Sequence, residues 1–120
     1  MPEDAGERWA DVPTSHGAPD DADVELVSDV AGLLSEPIRL NILCELLVSP
    51  RRVTELWTAL RLPQPTVSHH LRLLLDGGLV RRRRAGRTAI YELGPAVNAD
   101  GDTLVIRAGP LKVEWRVRCP

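Results

Sequence analysis

Five polar residues crowd into one short stretch: Gln64, Thr66, Ser68, His69 and Arg72. Their chemistry is hydrogen bonding to flat polar edges. A glutamine can meet adenine with a donor and an acceptor together, and Ser, Thr or His can serve a base edge or a phosphate. Arg72 adds a charge one helical turn beyond Ser68, within reach of phosphate. An arginine run, Arg81 to Arg84, follows, with Arg87 close behind. Alternation along a strand lets only half of such a run face one side. Arg83, Arg84 and Arg87, nearest the tip of that segment, are the candidates for phosphate or minor-groove contact. This is the equipment of a surface that reads a DNA duplex. The bland readings are that Thr66 caps or packs, that His69 touches phosphate alone, and that the arginines are a solvated basic surface.

Those side chains need a frame. The segment VTELWTALRLPQPTVSHHLRLLL, residues 53–75, reads as a short helix over 53–60, a tight turn, and a second helix from Gln64-Pro65 to about Leu75. Val67, Leu71, Leu74 and Leu75 recur at helical spacing and make one face apolar, leaving Ser68, His69 and Arg72 on the other. Pro63 and Pro65 force the restart, Leu62 plugs the turn, and Gly77-Gly78 ends the helix. In a helix-turn-helix, the first two turns of the second helix are the ones that meet base edges. Upstream, a helix over 23–34 carries the stripe Leu26, Val30, Leu33 and Leu34. Pro37 opens another over 38–48, apolar over much of its girth and so expected to be central and buried. Downstream, residues 79–84 and 88–93 form a hairpin around Ala85-Gly86-Arg87. Residues 94–102 read as a loop. A second hairpin, 103–107 with 111–118, turns at Ala108-Gly109-Pro110. Leu111, Val113, Trp115 and Val117 alternate with charged residues, so one face of the last strand should be buried. The expected fold is mainly α with a β wing: a winged helix-turn-helix (α-α-α-α-β-β) over 22–93, followed by a C-terminal β-hairpin extension over 94–120 that could serve dimerisation.

Length and charge agree with one domain plus tails. The 120 residues carry a net charge of −2, which alone argues against nucleic acid. The distribution argues otherwise: residues 1–36 sum to −9, residues 37–93 to +6 and residues 94–120 to +1. A binding site feels the local field more than the total. Residues 1–21 are polar and acidic without periodicity, and a disordered acidic arm is expected there. Such an arm could mimic phosphate and cover the basic face. Two cysteines, Cys44 and Cys119, make no disulfide framework. Cys44 sits among leucines and reads as packing. No apolar run is long enough to span a membrane and no leader is recognisable, so a cytoplasmic protein is expected. The chain shows no nucleophile–base motif, glycine-rich phosphate loop or metal cluster; no enzyme activity, cofactor or metal is expected.

Three motifs in order and spacing carry a resemblance: Leu34-Ser35-Glu36-Pro37-Ile38-Arg39-Leu40-Asn41-Ile42-Leu43, then residues 62–71 (LPQPTVSHHL), then Gly77-Gly78-Leu79-Val80. They resemble the arsenic-repressor (ArsR/SmtB) family of bacterial winged-helix regulators, whose pattern is L-x-x-P-x-R-L-x-I-L, S-Q-x-T-V-S-x-H-L and G-L-V. The resemblance covers about residues 24–93. It implies a homodimer that binds a double-stranded DNA operator, an inverted repeat, and represses transcription. Departures from the pattern are specific. Pro63 replaces the usual turn serine and Arg61 stands where glycine is common. Metal-sensing members carry cysteines where this chain has Arg52 and Thr54. Others place carboxylates and histidines on a C-terminal helix, where this chain reads as strands. The familiar metal sites therefore do not carry over, and the effector is left open.

Two more readings bear on function. His70 lies off the groove-facing arc, since successive residues on a helix point about 100° apart. A structural or phosphate role fits it better than a metal pair with His69. Residues 98–102 (NADGD) lack the spacing of a calcium loop and read as a turn. The competing function is a winged-helix protein–protein interaction module without DNA binding, because fold does not dictate function.

Overall fold

The structure is a computed structural model that describes residues 20–116. Most of the expected acidic arm, Trp9 and Cys119 lie outside the described residues. The first helix, expected from about Asp23, begins at Asp21, with Asp20 as its N-cap. The Asp20 carboxylate accepts the Asp23 N–H at 2.8 Å, capping α1 (Asp21–Leu34). Asp21 and Asp23 complement the positive end of its dipole. Of the expected stripe, Val30 is buried and Leu33 and Leu34 are half-buried, but Leu26 is 44% exposed.

Glu36 caps α2 (Pro37–Val48) by accepting the Arg39 N–H at 3.1 Å, and Pro37 occupies the first turn, where a missing N–H costs nothing. Ile42, Leu43 and Leu46 are buried, so this is the central helix. In α3 (Val53–Leu60), Glu55 reaches back to the Arg52 N–H at 3.0 Å, and Leu56 points fully inward. The chain leaves α3 through Arg61, the one described non-glycine residue with positive φ, at 56°. Here the Leu62 N–H reaches Trp57 O (3.1 Å) and the Arg61 N–H reaches Thr58 O (3.3 Å). That is the glycine-type helix stop with arginine in glycine's place.

The restart predicted at Pro63–Pro65 gives α4 (Gln64–Asp76), with Val67, Leu71 and Leu74 buried. Gly78 (φ 77°) ends it: the Leu79 N–H bonds Leu74 O at 3.0 Å and the Gly78 N–H bonds Leu75 O at 3.1 Å. Leu74 and Leu79, both fully buried, close this turn. The chain then enters a two-stranded antiparallel ribbon, β1 (Val80–Ala85) and β2 (Thr88–Leu93), pairing Val80 with Leu93 and Arg82 with Tyr91. Arg51, between α2 and α3, adds a bridge to Tyr91 through two backbone bonds of 2.9 and 2.7 Å. Gly94 follows the ribbon where any Cβ would strike the Gly78 carbonyl and approach Leu79 C at 2.9 Å, so a side chain is excluded there.

The C-terminal region corrects one expectation. Residues 97–100 are not loop. They form β3 (Val97–Asp100), which pairs with β4 (Thr103–Ala108), which in turn pairs with β5 (Leu111–Arg116). The predicted hairpin is thus two strands of a three-stranded antiparallel sheet in the order β3-β4-β5. Only the tip of the NADGD stretch, at Gly101 and Asp102, is turn. Leu104, Ile106 and Ala108 are buried on the face that covers α1, and Leu111, Val113 and Trp115 of β5 are half-buried beside them. One continuous aliphatic core joins this sheet to α1–α4 and the root of the ribbon.

Candidate nucleic-acid interface

Burial of Val67, Leu71 and Leu74 decides which side of α4 meets solvent. Gln64, Ser68, His69 and Arg72 are exposed. At about 100° per residue, Gln64, Ser68 and Arg72 form a continuous ridge with His69 on its flank. Thr66 is half-buried on the opposite shoulder and does not join that ridge. His70, next to it, turns inward: its side chain is 13% exposed and its Nδ1 lies 3.3 Å from Arg39 Nη1.

The ribbon sorts its arginines by parity. Residues paired across an antiparallel ladder share a face. Arg81 and Arg83 lie on the face of Glu92, and both bind it: Arg81 Nε to Oε1 at 2.9 Å, Arg83 Nε to Oε2 at 3.4 Å. Partial burial pushes the Glu92 carboxyl up, but the hydrogen bonds and charges of Arg81 and Arg83 outweigh this and hold it below the usual carboxylate range. Val80, Arg82 and Arg84 occupy the other face, with Tyr91 opposite Arg82. Between α4 and this hairpin lies an open groove of about 800 Å³, lined by Ser68, Arg72, Arg82 and Tyr91, with Asp76 toward one end. Arg82, Arg83, Arg84 and Arg87 surround a second hollow at the hairpin tip.

The eight residues singled out from sequence thus separate. Ser68 and Arg72 meet in the groove, while Gln64 and His69 extend the same helix face. Arg84 and Arg87 hold the tip. Arg83 reaches the tip but is partly neutralised by Glu92, and Thr66 stands apart. Arg82, which sequence reasoning did not single out, lines the groove with Ser68 and Arg72. The signal was available: Val80 is apolar and must face the body, so residues 82 and 84 share its side.

Where metal-sensing relatives place cysteines, Arg52 and Thr54 are exposed and offer no soft donor; Arg52 Nε lies 3.7 Å from Glu55. No cluster of three or more His, Cys, Asp or Glu side chains able to hold a metal occurs among the described residues. Nor is any helix among them long and apolar enough to cross a membrane.

Three helices closed by a turn and a fourth, then a hairpin standing beside that fourth helix, define the winged helix-turn-helix class. Residues 36–82 match the bacterial regulatory protein, arsR family. Over 87 residues the chain is 37% identical to the HTH-type transcriptional repressor SmtB of Mycobacterium tuberculosis, covering 72% of this chain and 64% of that protein. It is 34% identical to the arsenical resistance operon repressor of Staphylococcus aureus, covering 62% of this chain and 71% of the relative. Its fold matches the solution structure of the homodimeric winged helix-turn-helix DNA-binding domain of a possible ArsR-family regulator from Mycobacterium bovis. That match has a TM-score of 0.55 at 32% identity and covers 64% of this chain and 74% of the other. The chain belongs to the ArsR family of bacterial regulatory proteins. It matches somewhat less than two thirds of the length of the SmtB repressor.

Proposed function

We propose that this protein is a sequence-specific, homodimeric DNA-binding transcriptional repressor acting in the cytoplasm on an inverted-repeat operator. The α4 ridge of Gln64, Ser68, His69 and Arg72 lies in the major groove. Arg82, Arg84 and Arg87 follow the phosphates or enter the minor groove beside it, with Arg83 and Thr66 as secondary contacts. The observation that carries this reading is the convergence of an exposed polar helix face and the hairpin arginines Arg81 and Arg82 on one open groove, while leucines anchor the same helix to the body. An interaction module would present a more apolar surface there. The test is a mobility shift with a duplex selected by the protein from a random pool, across a salt series. Affinity should fall with salt with a log–log slope of about −0.9 per neutralised phosphate. Absence of duplex binding at every ionic strength would leave the interaction module as the reading.

The dimer we assign to the C-terminal sheet and α1. Val24 and Leu26 are exposed apolar residues on α1, and Pro110 at the β4–β5 turn borders Val24 and Val27. A self-complementary strip of this kind suits a two-fold contact. Truncation before Gly94 should yield monomers by sedimentation, and a truncated dimer would place the contact elsewhere. Removal of residues 1–19, which leaves the Asp20 cap intact, should tighten non-specific binding at low salt if the acidic segment competes with phosphate.

A further inference from the structure

The recognition helix α4 is tied to α1 by a contact outside the groove. Arg39, on α2, donates from Nε to Leu33 O at 2.8 Å and from Nη2 to Gly32 O at 3.1 Å, the last carbonyls of α1. No basic residue of α1 itself occupies its last turn, so Arg39 supplies from another helix the cation that this end of the dipole favours. Its remaining nitrogen, Nη1, points to His70 Nδ1 at 3.3 Å, three residues into the hidden side of α4 from Val67. The Glu36 carboxylate, which caps α2 through the Arg39 N–H, stands 4.0 Å from the same Nδ1. One guanidinium thus bonds α1 and α4 at once.

We propose that Arg39 and His70 act as positioning residues, a latch that sets the rotation of the recognition helix against the end of α1 and so aims the Ser68–Arg72 ridge. This rests on the DNA-binding reading above. A guanidinium only donates, so His70 Nδ1 must accept, and the imidazole is neutral with its proton on Nε2. A proton on Nδ1 would face Arg39 and could satisfy itself only by turning to Glu36, which opens the latch. The groups around the ring are Glu36 and Arg39 on α2 and His69 on α4 itself. Burial, chiefly, lowers the His70 pKa from 6.5; Arg39 and His69 act with burial and Glu36 against it. The latch is therefore closed at neutral pH and opens below it.

Two measurements test this, one without DNA. In the full-length protein with ¹⁵N-labelled histidine at neutral pH, the His70 Nδ1 resonance should be that of an unprotonated acceptor and should move in Arg39→Met. A protonated Nδ1 overturns the latch. With DNA, the readout is selectivity: affinity for the duplex selected by the wild type over a scrambled duplex. His70→Leu should lose about tenfold in selectivity, the scale of one charge-assisted hydrogen bond, while its non-specific affinity and salt slope stay as in the wild type. His70→Asn, which keeps an acceptor near the Nδ1 position, should restore most of it. Wild-type selectivity should decline as pH falls below neutrality more than that of His70→Asn, since both proteins keep His69 and only the wild type keeps the imidazole at 70. Full selectivity in His70→Leu, or coincident pH curves, overturns the proposal. A wild type that shows no selectivity sinks the regulator reading instead, and the imidazole spectrum still decides the latch geometry. Arg39→Met removes a helix cap and can unfold the chain; the His70 variants carry the test in that case.

Discussion

The two β regions of this molecule are built to opposite rules. In the wing, β1 buries only Val80 and exposes the five residues after it, four of them arginines. In the C-terminal sheet, β4 alternates, burying Leu104, Ile106 and Ala108 against α1. Both are antiparallel and similar in strand length, so backbone geometry does not separate them. The side chains do. A two-stranded ribbon is marginal by itself, and the wing is steadied through β2, whose Tyr91 and Leu93 pack against the core, and by the Arg51–Tyr91 bridge and the Gly94 contact. That frees its outer residues from packing duties and leaves them to electrostatics. The comparison teaches that changes to the buried side chains of the sheet should alter stability, and changes to the exposed arginines of the wing should alter affinity.

Leu104→Ala is the strongest attempt to break that division. Leu104 is fully buried, and its truncation should cost about 2–5 kcal/mol in denaturant unfolding. Duplex affinity of the folded fraction should be unchanged; a direct loss of affinity would show that the sheet contributes to the interface. Arg82→Ala is the mirror test. Arg82 is exposed, so stability should stay within about 0.5 kcal/mol. Affinity should drop across all sequences and the salt slope should shrink by about one unit. Arg61→Gly lies in neither region and calibrates the stability scale. Relieving an L-residue at φ 56° should stabilise by about 1 kcal/mol, seen as a higher unfolding midpoint. Glu92→Gln should have the smallest effect. It releases Arg81 and Arg83, so low-salt duplex affinity should rise and the salt slope steepen. Since the Glu92 carboxyl is held below its ordinary 4.5, its ion pairing persists above that pH and is lost as pH falls through the lowered value. The Gln variant should lack that component of acid destabilisation.

Much of this was legible in the chain. Pro37, Pro63, Pro65 and Gly78 punctuate the helices through local chemistry, and local chemistry is what sequence displays best. The ridge on α4 followed from the spacing of its leucines. What escaped was settled by contacts distant in sequence. Residues 97–100 (VNAD) alternate over only four positions, three of them Asn, Ala and Asp, which are poor strand formers, and the segment becomes a strand by pairing with β4. The pairing of Arg81 and Arg83 with Glu92 joins neighbouring strands and is not visible in the arginine run itself. The bond between Arg39 and His70 spans 31 residues and shows only once the helices are packed.

The double hydrogen bond between Arg51 and Tyr91 has one more consequence. It fastens the segment leading into α3, the first helix of the helix-turn-helix, to the wing strand β2, so both sides of the groove are tied to one backbone pair. On the proposed reading, the spacing between the recognition helix and the wing is set by this backbone pair, and duplexes whose grooves already have that width should be favoured.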